Sequence, residues 1–396
     1  MIEESILEEK LMSIRRRLHQ EPEIGMVLPM TKALVIKELE AIGLNPKEVG
    51  QSGLIIDIQG EKSGPTLLLR ADMDALPIQE ESDLSFKSLN GYMHACGHDM
   101  HTTMLLGAAM ILKEHEKEIV GRVRLMFQPG EEVNQGAIAM IEAGILSKPK
   151  VDAALAIHVV TGLPIECGVI GVPLIDGGFM SATDIINISV QGRGGHGAMP
   201  EKTVDALNVL THIHIGLQSL NAREVAATEA MTLTFGMLNC GTAANVIPDK
   251  GYLKGTLRTF NEETRHYLHQ RIEEIACGVG QQFRAKVQVT IEKGMPPLKN
   301  NRAFALEIKE ILTEKFGRDR VLSMKEFYTE RLMASEDFAH IAAKVPATIL
   351  QLGAGNGHEG YTYPMHHPQA RFDERALLVG AKTYAYSALE WLKGNA

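Results

Sequence analysis

A chain of 396 residues is too long for one ordinary hydrophobic core, so two domains are expected. Its 45% hydrophobic and 22% charged residues are those of a globular protein, and a net charge of −9 with both signs mixed excludes the basic stripe of a nucleic-acid binder. No uncharged apolar run reaches the ~18 residues of a membrane span, the opening MIEESILEEKLMSIRRRLHQ lacks the apolar core of a secretory signal, and Cys96, Cys167, Cys240 and Cys277 form no CxxC pair, so the expected compartment is a reducing cytoplasm.

Residues 4–19 carry Ile6, Leu7, Leu11, Ile14 and Leu18 at helical spacing, which predicts an amphipathic helix. EPEIG ends it, and TKALVIKELEAIGL predicts a second helix that stops at Gly43. GLIIDIQG and GPTLLLRADMDALP are expected to be two strands separated by a Gly-Pro turn. The run Thr66-Leu67-Leu68-Leu69 is apolar on both faces, the pattern of a buried central strand. HTTMLLGAAMILKEH predicts a helix, GRVRLMFQPGEE a strand entering an acidic turn, GAIAMIEAGIL a helix and VDAALAIHVV a strand. This alternation is the grammar of an α/β layer with a mostly parallel sheet.

The pattern changes after Met180. TDIINISVQGRGGHGAMP alternates and then breaks into glycines. The helix TVDALNVLTHIHIGLQSL, the strands MTLTFGMLNCG and GYLKGTLRTF, the helix EETRHYLHQRIEEIACGVG and the strand KVQVTIEKG follow. The order βαββαβ predicts a small α+β unit of the split βαβ type. From Pro296 the α/β pattern returns and ends in the helix DERALLVGAKTYAYSALEWLKG. The small domain is therefore expected to be inserted in the larger one.

Several segments end in ligand-type side chains: Asp72 and Asp74 in RADMDALP, Cys96 and His98 in ACGHDMH, Glu131 and Glu132 in QPGEE, His158 in AIHVV, and His366 and His367 in YPMHHP. Sites in open α/β sheets lie beyond the carboxyl ends of the strands, so segments far apart in sequence can converge there. Thiolate, imidazole and carboxylate together suit a borderline divalent ion such as Zn²⁺, Mn²⁺, Co²⁺ or Ni²⁺. A dense cluster can hold two such ions about 3.5–4 Å apart with a bridging water as nucleophile. Neighbouring side chains such as Glu131 and Glu132 point different ways, so one acid can ligate while the other acts as general base.

Each segment alone also has a plain structural role open to it. Asp72 and Asp74 can cap turns, Glu131 and Glu132 can start a helix, and His158 can be a hydrogen-bonded core histidine. Cys96 as a catalytic nucleophile competes with the metal reading. No thiol-protease signature surrounds Cys96, and that role would leave the other segments without one. Cys167 and Cys277 stand in apolar surroundings and read as structural.

The motifs RADMDALP, MHACGHDMHTTMLLGAA, FQPGEE, GRGGHGAMP, NVIPD, ASEDFA and MHHPQARFDE together resemble the aminoacylase/carboxypeptidase G superfamily of metallohydrolases. The resemblance is closer to its amidohydrolase branch of N-acyl-amino-acid amidohydrolases, hippurate hydrolases and auxin-conjugate hydrolases, which the cysteine before GHD marks. It spans nearly the whole chain, with the motifs in the family's order. It implies a zinc-peptidase-like α/β catalytic domain over residues 1–183 and 296–396, and an inserted α+β lid and dimerisation domain over 184–295. It also implies two divalent ions per subunit, held by Cys96, His98, Glu132, His158 and His366, with Glu131 as general base. His366 rather than His367 matches, because the family ligand lies two residues before the proline; His367 becomes a second-layer or pocket-wall residue.

By the same resemblance, Asp74 orients a ligand, while Asp99 and His101 either do likewise or begin the helix. His196 in GRGGHGAMP reaches the active site of a partner subunit and stabilises the oxyanion. Asn245 contacts substrate, and Arg258 grips its carboxylate, a task for which a guanidinium fork is suited. His94 is at most supporting.

The implied activity is metal-dependent cleavage of N-acyl-amino acids, with acetyl, benzoyl or related acyl groups, to a carboxylate and a free amino acid. The expected partners are this small substrate and a second copy of the chain, as a homodimer or tetramer through the lid, without nucleic acid or membrane. Peptidase or auxin-conjugate hydrolysis on the same scaffold, a non-catalytic metal-binding protein, and a thiol hydrolase using Cys96 are the alternatives.

Overall fold

In the computed structural model, which describes residues 3–396, the chain divides into two compact units. One comprises Met1–Asp176, Lys299–Arg331 and Glu336–Ala396; the other comprises Gly177–Leu298 and Leu332–Ser335.

The first unit opens with α1 (Glu4–Gln20), which buries Leu7, Leu11, Ile14 and Leu18. Ile6 is exposed, contrary to expectation. The buried positions recur at spacings of four and three, and Ile6 sits one residue off that stripe. Next come α2 (Pro29–Glu40), β1 (Lys47–Val49), β2 (Gly53–Gln59) and β3 (Lys62–Asp72). The Gly-Pro pair expected to form a turn lies inside β3 instead. The ladder with the neighbouring strand shifts register between Lys62 and Thr66, and such an irregularity tolerates a proline that has no N–H to donate.

The helix α3 (His98–Glu114) follows, then β4 (Val120–Gln128), α4 (Gly136–Glu142), β5 (Ala153–Val160) and β6 (Ile170–Val172). β2 and β3 do not pair: β4 lies between them, antiparallel to β2 and parallel to β3.

The second unit contains β7 (Ala182–Gln191), β8 (Gly195–His196), α5 (Ala206–Leu217), β9 (Met231–Cys240), β10 (Val246–Ile247), β11 (Lys250–Thr259), α6 (Glu262–Gln282) and β12 (Lys286–Lys293). Apart from the two-residue strands β8 and β10, the order is βαββαβ. The four long strands form an antiparallel sheet in the order β12-β7-β11-β9. β7 buries alternate residues, including Ile186, Ile188 and Val190, in a core with Val209, Leu210 and Ile213 of α5 and Leu268 and Ile272 of α6. The unit runs past both ends of the expected segment 184–295. Phe179 N donates to Leu298 O at 2.7 Å and Leu298 N to Met180 O at 3.1 Å.

The chain returns to the first unit with α7 (Arg302–Phe316), β13 (Val321–Ser323), α8 (Met324–Phe327), α9 (Ala339–Ala342), β14 (Ala347–Gly353) and α10 (Ala376–Gly394). Its eight-stranded sheet has the order β1-β2-β4-β3-β5-β14-β6-β13. The central strands β4, β3, β5 and β14 run parallel, and antiparallel joints appear at β2 and β6. α3 is buried along nearly its whole length because it packs between the sheet and its helical neighbours α1 and α10. At Gly107 a Cβ would come within 2.7 Å of Ala381 Cβ, so the small residue sets how closely α3 and α10 approach. Among the described residues no helix is long and apolar enough to cross a membrane.

Candidate metal centre

β3, β4 and β5 are parallel neighbours, so their carboxyl ends lie on one edge of the sheet. β3 ends at Asp72 and leads to Asp74. β4 ends at Gln128 and turns through Gly130 into Glu131 and Glu132, and His158 lies near the end of β5. Cys96 and His98 flank Gly97, which enters α3 with φ of +87°. A Cβ at Gly97 would lie 2.5 Å from Val159 Cγ2, so only glycine lets this loop press against β5. His366 arrives from the far end of the chain. Its φ is +66°, and its N–H donates to Ala95 O at 2.9 Å, which ties it beside the Cys96 loop.

The ligand atoms converge in overlapping groups: Cys96, His98 and His158; Cys96, Glu132 and His366; and His98, Glu131 and Glu132. Within each group they lie within 4.8 Å of one another. Cys96 Sγ is 3.5 Å from His158 Nε2, while Glu132 Oε1 is 3.6 Å from His366 Nε2 and 4.0 Å from His98 Nε2. Both ring nitrogens of His98 and Glu132 Oε1 are buried without a hydrogen-bond partner. Polar atoms are rarely left so; a thiol, imidazoles and a carboxylate facing one another fit one or two borderline divalent ions.

Outer contacts orient this set. His158 Nδ1 donates to Val159 O at 2.7 Å, which leaves Nε2 free to ligate. His101 Nδ1 donates to Asp72 Oδ1 at 2.5 Å, and its Nε2 accepts the Val159 N–H at 2.9 Å. His101 thus ties β3 to β5 behind the ligands. Asp74 accepts the Glu131 N–H at 3.0 Å and the Glu132 N–H at 3.2 Å, so it fixes the acidic turn.

Cys96, Glu132 and His158 are pushed toward their neutral forms, whereas His98, against its burial, is raised well above the ordinary imidazole range by the Asp72 carboxylate. Burial pushes the Cys96 thiol up and the Glu132 carboxyl up to about 7, and burial lowers His158 to about 3. Glu131 is raised well above the ordinary carboxylate range by burial and by Glu336 and Asp337 beside it. A bound divalent cation favours the thiolate and carboxylate instead.

Other expected residues fall elsewhere. Asp99 turns away from the ligands: Oδ2 accepts from Arg15 Nε and His19 Nδ1, both at 2.8 Å, so it fastens α3 to α1. His367 stacks on Tyr363 with ring centroids 4.3 Å apart. In the second unit, His196 is paired with Val246 in the β8–β10 ribbon, and Gly197 N donates to Asn245 O at 2.9 Å. His196 and Asn245 are therefore near neighbours there, both exposed. Arg258 on β11 is half-buried and donates to Ser335 Oγ at 2.5 Å.

The residues missed from sequence are Arg70, Gln128, Glu336 and Asp337, a buried network next to Glu131. The available signal was Arg70 itself. A cation in a strand apolar on both faces demands buried carboxylate partners.

Residues 68–390 match the model of peptidase family M20/M25/M40. The chain belongs to this family. It is a hydrolase of amide or peptide bonds. This M20 chain is 34% identical to the N-acetyl-L-cysteine deacetylase of Bacillus subtilis over 99% of its length and 90% of that protein's. It is 35% identical to the IAA-amino acid hydrolase ILR1-like 2 of Arabidopsis thaliana, covering 98% and 86%. The crystal structure of the Bacillus subtilis YXEP protein, described as a dinuclear metal-binding peptidase of the M20 family, superposes with a TM-score of 0.84 at 31% identity over 98% of this chain and 99% of that one.

Proposed function

We propose that this M20 hydrolase removes an acyl group from the α-nitrogen of an amino acid, giving a carboxylate and a free amino acid. The observation that carries the reading is the different surroundings of the two adjacent acids. Glu132 Oε1 faces His98 and His366, whereas Glu131 Oε1 faces the Asp337 N–H at 3.4 Å. Glu131 also comes within 4.8 Å of His98 and Glu132, but its contact with the Asp337 N–H supports reading it as the acid that handles protons while Glu132 ligates. The relatives named for acetylcysteine and auxin conjugates support an acylated amino acid as substrate.

Cys96, His98, Glu132, His158 and His366 would hold two divalent ions per subunit, Mn²⁺, Zn²⁺, Co²⁺ or Ni²⁺. When bound, such ions supply Lewis acidity toward the amide carbonyl and acidify a water. Glu131 takes the proton of the attacking water and passes it to the leaving amine. His196 of the partner subunit stabilises the oxyanion, Arg258 holds the substrate carboxylate, and Asn245 contacts the substrate. The second unit would act as the lid and the dimer or tetramer contact, in a cytoplasmic enzyme.

The test is hydrolysis of acetyl-, benzoyl- and indoleacetyl-amino acids against dipeptides, with Mn²⁺, Co²⁺, Ni²⁺ or Zn²⁺ added to metal-free protein. Turnover of acyl-amino acids above dipeptides supports the reading. Dipeptides alone would make the enzyme a small-peptide metallopeptidase, and activity untouched by chelators but lost on thiol alkylation would make Cys96 the nucleophile.

A further inference from the structure

Arg70 is buried amid four polar side chains. Nη1 donates to Asp72 Oδ2 and Nη2 to Asp337 Oδ1, both at 2.7 Å; Nε donates to Gln128 Oε1 at 3.1 Å, and Nη2 lies 2.9 Å from Glu336 Oε1. Glu131, Glu336 and Asp337 bring carboxylate oxygens within 4.8 Å of one another. Arg70 already pairs with Glu336 and Asp337, so this cluster is an ion-paired brace rather than another cation site.

Asp337 is the centre of the brace. Besides Arg70, its oxygens accept from Gln128 Nε2 at 3.0 and 2.8 Å and from the Ala137 N–H at 2.8 Å. Ala137 lies in the first turn of α4, directly after the loop that carries Glu131 and Glu132. That loop is closed by Asn134 N donating to Glu131 O at 2.9 Å and Gly136 N to Gly130 O at 3.0 Å. Asp74 therefore holds the acidic turn at its start, Asp337 holds it at its end, and the Asp337 N–H reaches the Glu131 carboxylate itself.

We infer that Asp337, fixed by Arg70 and Gln128, is a positioning residue that sets where the Glu131 carboxylate lies. The inference rests on Glu131 being the general base. Asp337 acts only through Glu131 and its turn. Proton transfer is sensitive to this because a misplacement of about 1 Å costs as much as a hundredfold in rate.

The test is a double-substitution cycle of Asp337→Asn and Glu131→Gln in the full-length, metal-loaded enzyme, with an N-acyl-amino acid that the unaltered enzyme turns over. Asp337→Asn keeps the volume but replaces one acceptor oxygen with an NH₂ that faces other donors. The expected result is a kcat about 10- to 100-fold lower, with KM and bound metal per subunit unchanged. Added to Glu131→Gln, the same change should lower kcat no further, because both act on one step. Gln128→Met, which removes two donors from Asp337, runs through the same cycle if Asp337→Asn does not fold, with a smaller loss in the same direction.

An unaltered kcat, loss of metal in parallel with activity, or an equal further loss in the Glu131→Gln background would overturn the inference. Failure of the base assignment looks different: Glu131→Gln would then keep full activity. Failure of the positioning role shows as an impaired Glu131→Gln beside a fully active Asp337→Asn.

Discussion

Asp74 grips two consecutive amides: Oδ1 accepts from Glu131 N at 3.0 Å and Oδ2 from Glu132 N at 3.2 Å. One carboxylate thereby fixes two neighbouring acids that point to different surroundings. Asp74→Ala should leave both N–H groups unpaired and let the turn relax. Metal affinity should fall by about 10- to 100-fold, as for other outer-layer partners of metal ligands. Titration of metal-free protein with Mn²⁺ checks this; wild-type affinity would mean that the turn holds its shape without Asp74.

Metal binding should weaken in acid. Burial raises the Glu132 carboxyl from 4.5 to about 7 in the ion-free fold. A raised carboxyl stabilises the metal-free chain fully below about 4.5, and that contribution is lost as pH rises through about 7. The ion needs the carboxylate and so competes with the proton. Apparent affinity should fall as pH drops below 7, and the rise in Tm on adding metal should grow between pH 6 and pH 8. Calorimetric titration and thermal melts at those pH values measure both, and a flat profile would contradict them.

Asp99→Ala should destabilise the fold rather than the chemistry. Arg15 and Asp99 are both fully buried and paired at 2.8 Å, and removal of one partner strands the other. Losses of about 3–5 kcal/mol are typical of such breaks. The lower end is expected here, since Arg15 Nη1 keeps Glu374 at 3.5 Å. Arg15 and His19 also hold the Asp99 carboxyl well below its ordinary range of about 3.8, against the burial that would raise it. Its stabilisation is therefore present above that value and is lost as pH falls below it. Urea unfolding at neutral pH and at pH 3 should show the gap between wild type and Asp99→Ala shrinking in acid.

The proposed reach of His196 into a partner subunit's site can be tested by complementation. His196→Ala should lower kcat by about 10²–10³, the cost of one oxyanion donor. Glu131→Gln is expected to keep only a small residual activity, for a different reason. If each active site combines Glu131 of one subunit with His196 of the other, exchanging subunits between the two variants rebuilds one intact site per mixed dimer. Activity should then return to about a quarter of wild type, since half the dimers of a closed two-fold pair are mixed. No recovery after verified exchange would place His196 in its own subunit's site or outside it.

Much of this protein is legible along the chain because its signals are local. Period-two alternation marks β7, and an apolar run on both faces marks β3 as central. The change from α/β to βαββαβ grammar marks a second unit. The ligand-type residues stand out because Cys, His and paired acids at strand ends have little packing reason to be there.

Only the tertiary structure decided which distant elements meet. Periodicity says that β2 and β3 are strands but not that β4 comes between them, since ladder partners are set by packing of the whole sheet. It predicts a helix from His101, but it cannot say that Asp99, in the first turn of α3, faces α1 and not the ligands, because neighbours on a helix point to different sides. Nor does any local pattern join Arg70 to Asp337 across 267 positions; that pair exists because a buried cation must find a carboxylate wherever the fold brings one. The sequence by itself determined the kinds of side chain available for chemistry, while the packed sheet determined which of them hold the others in place.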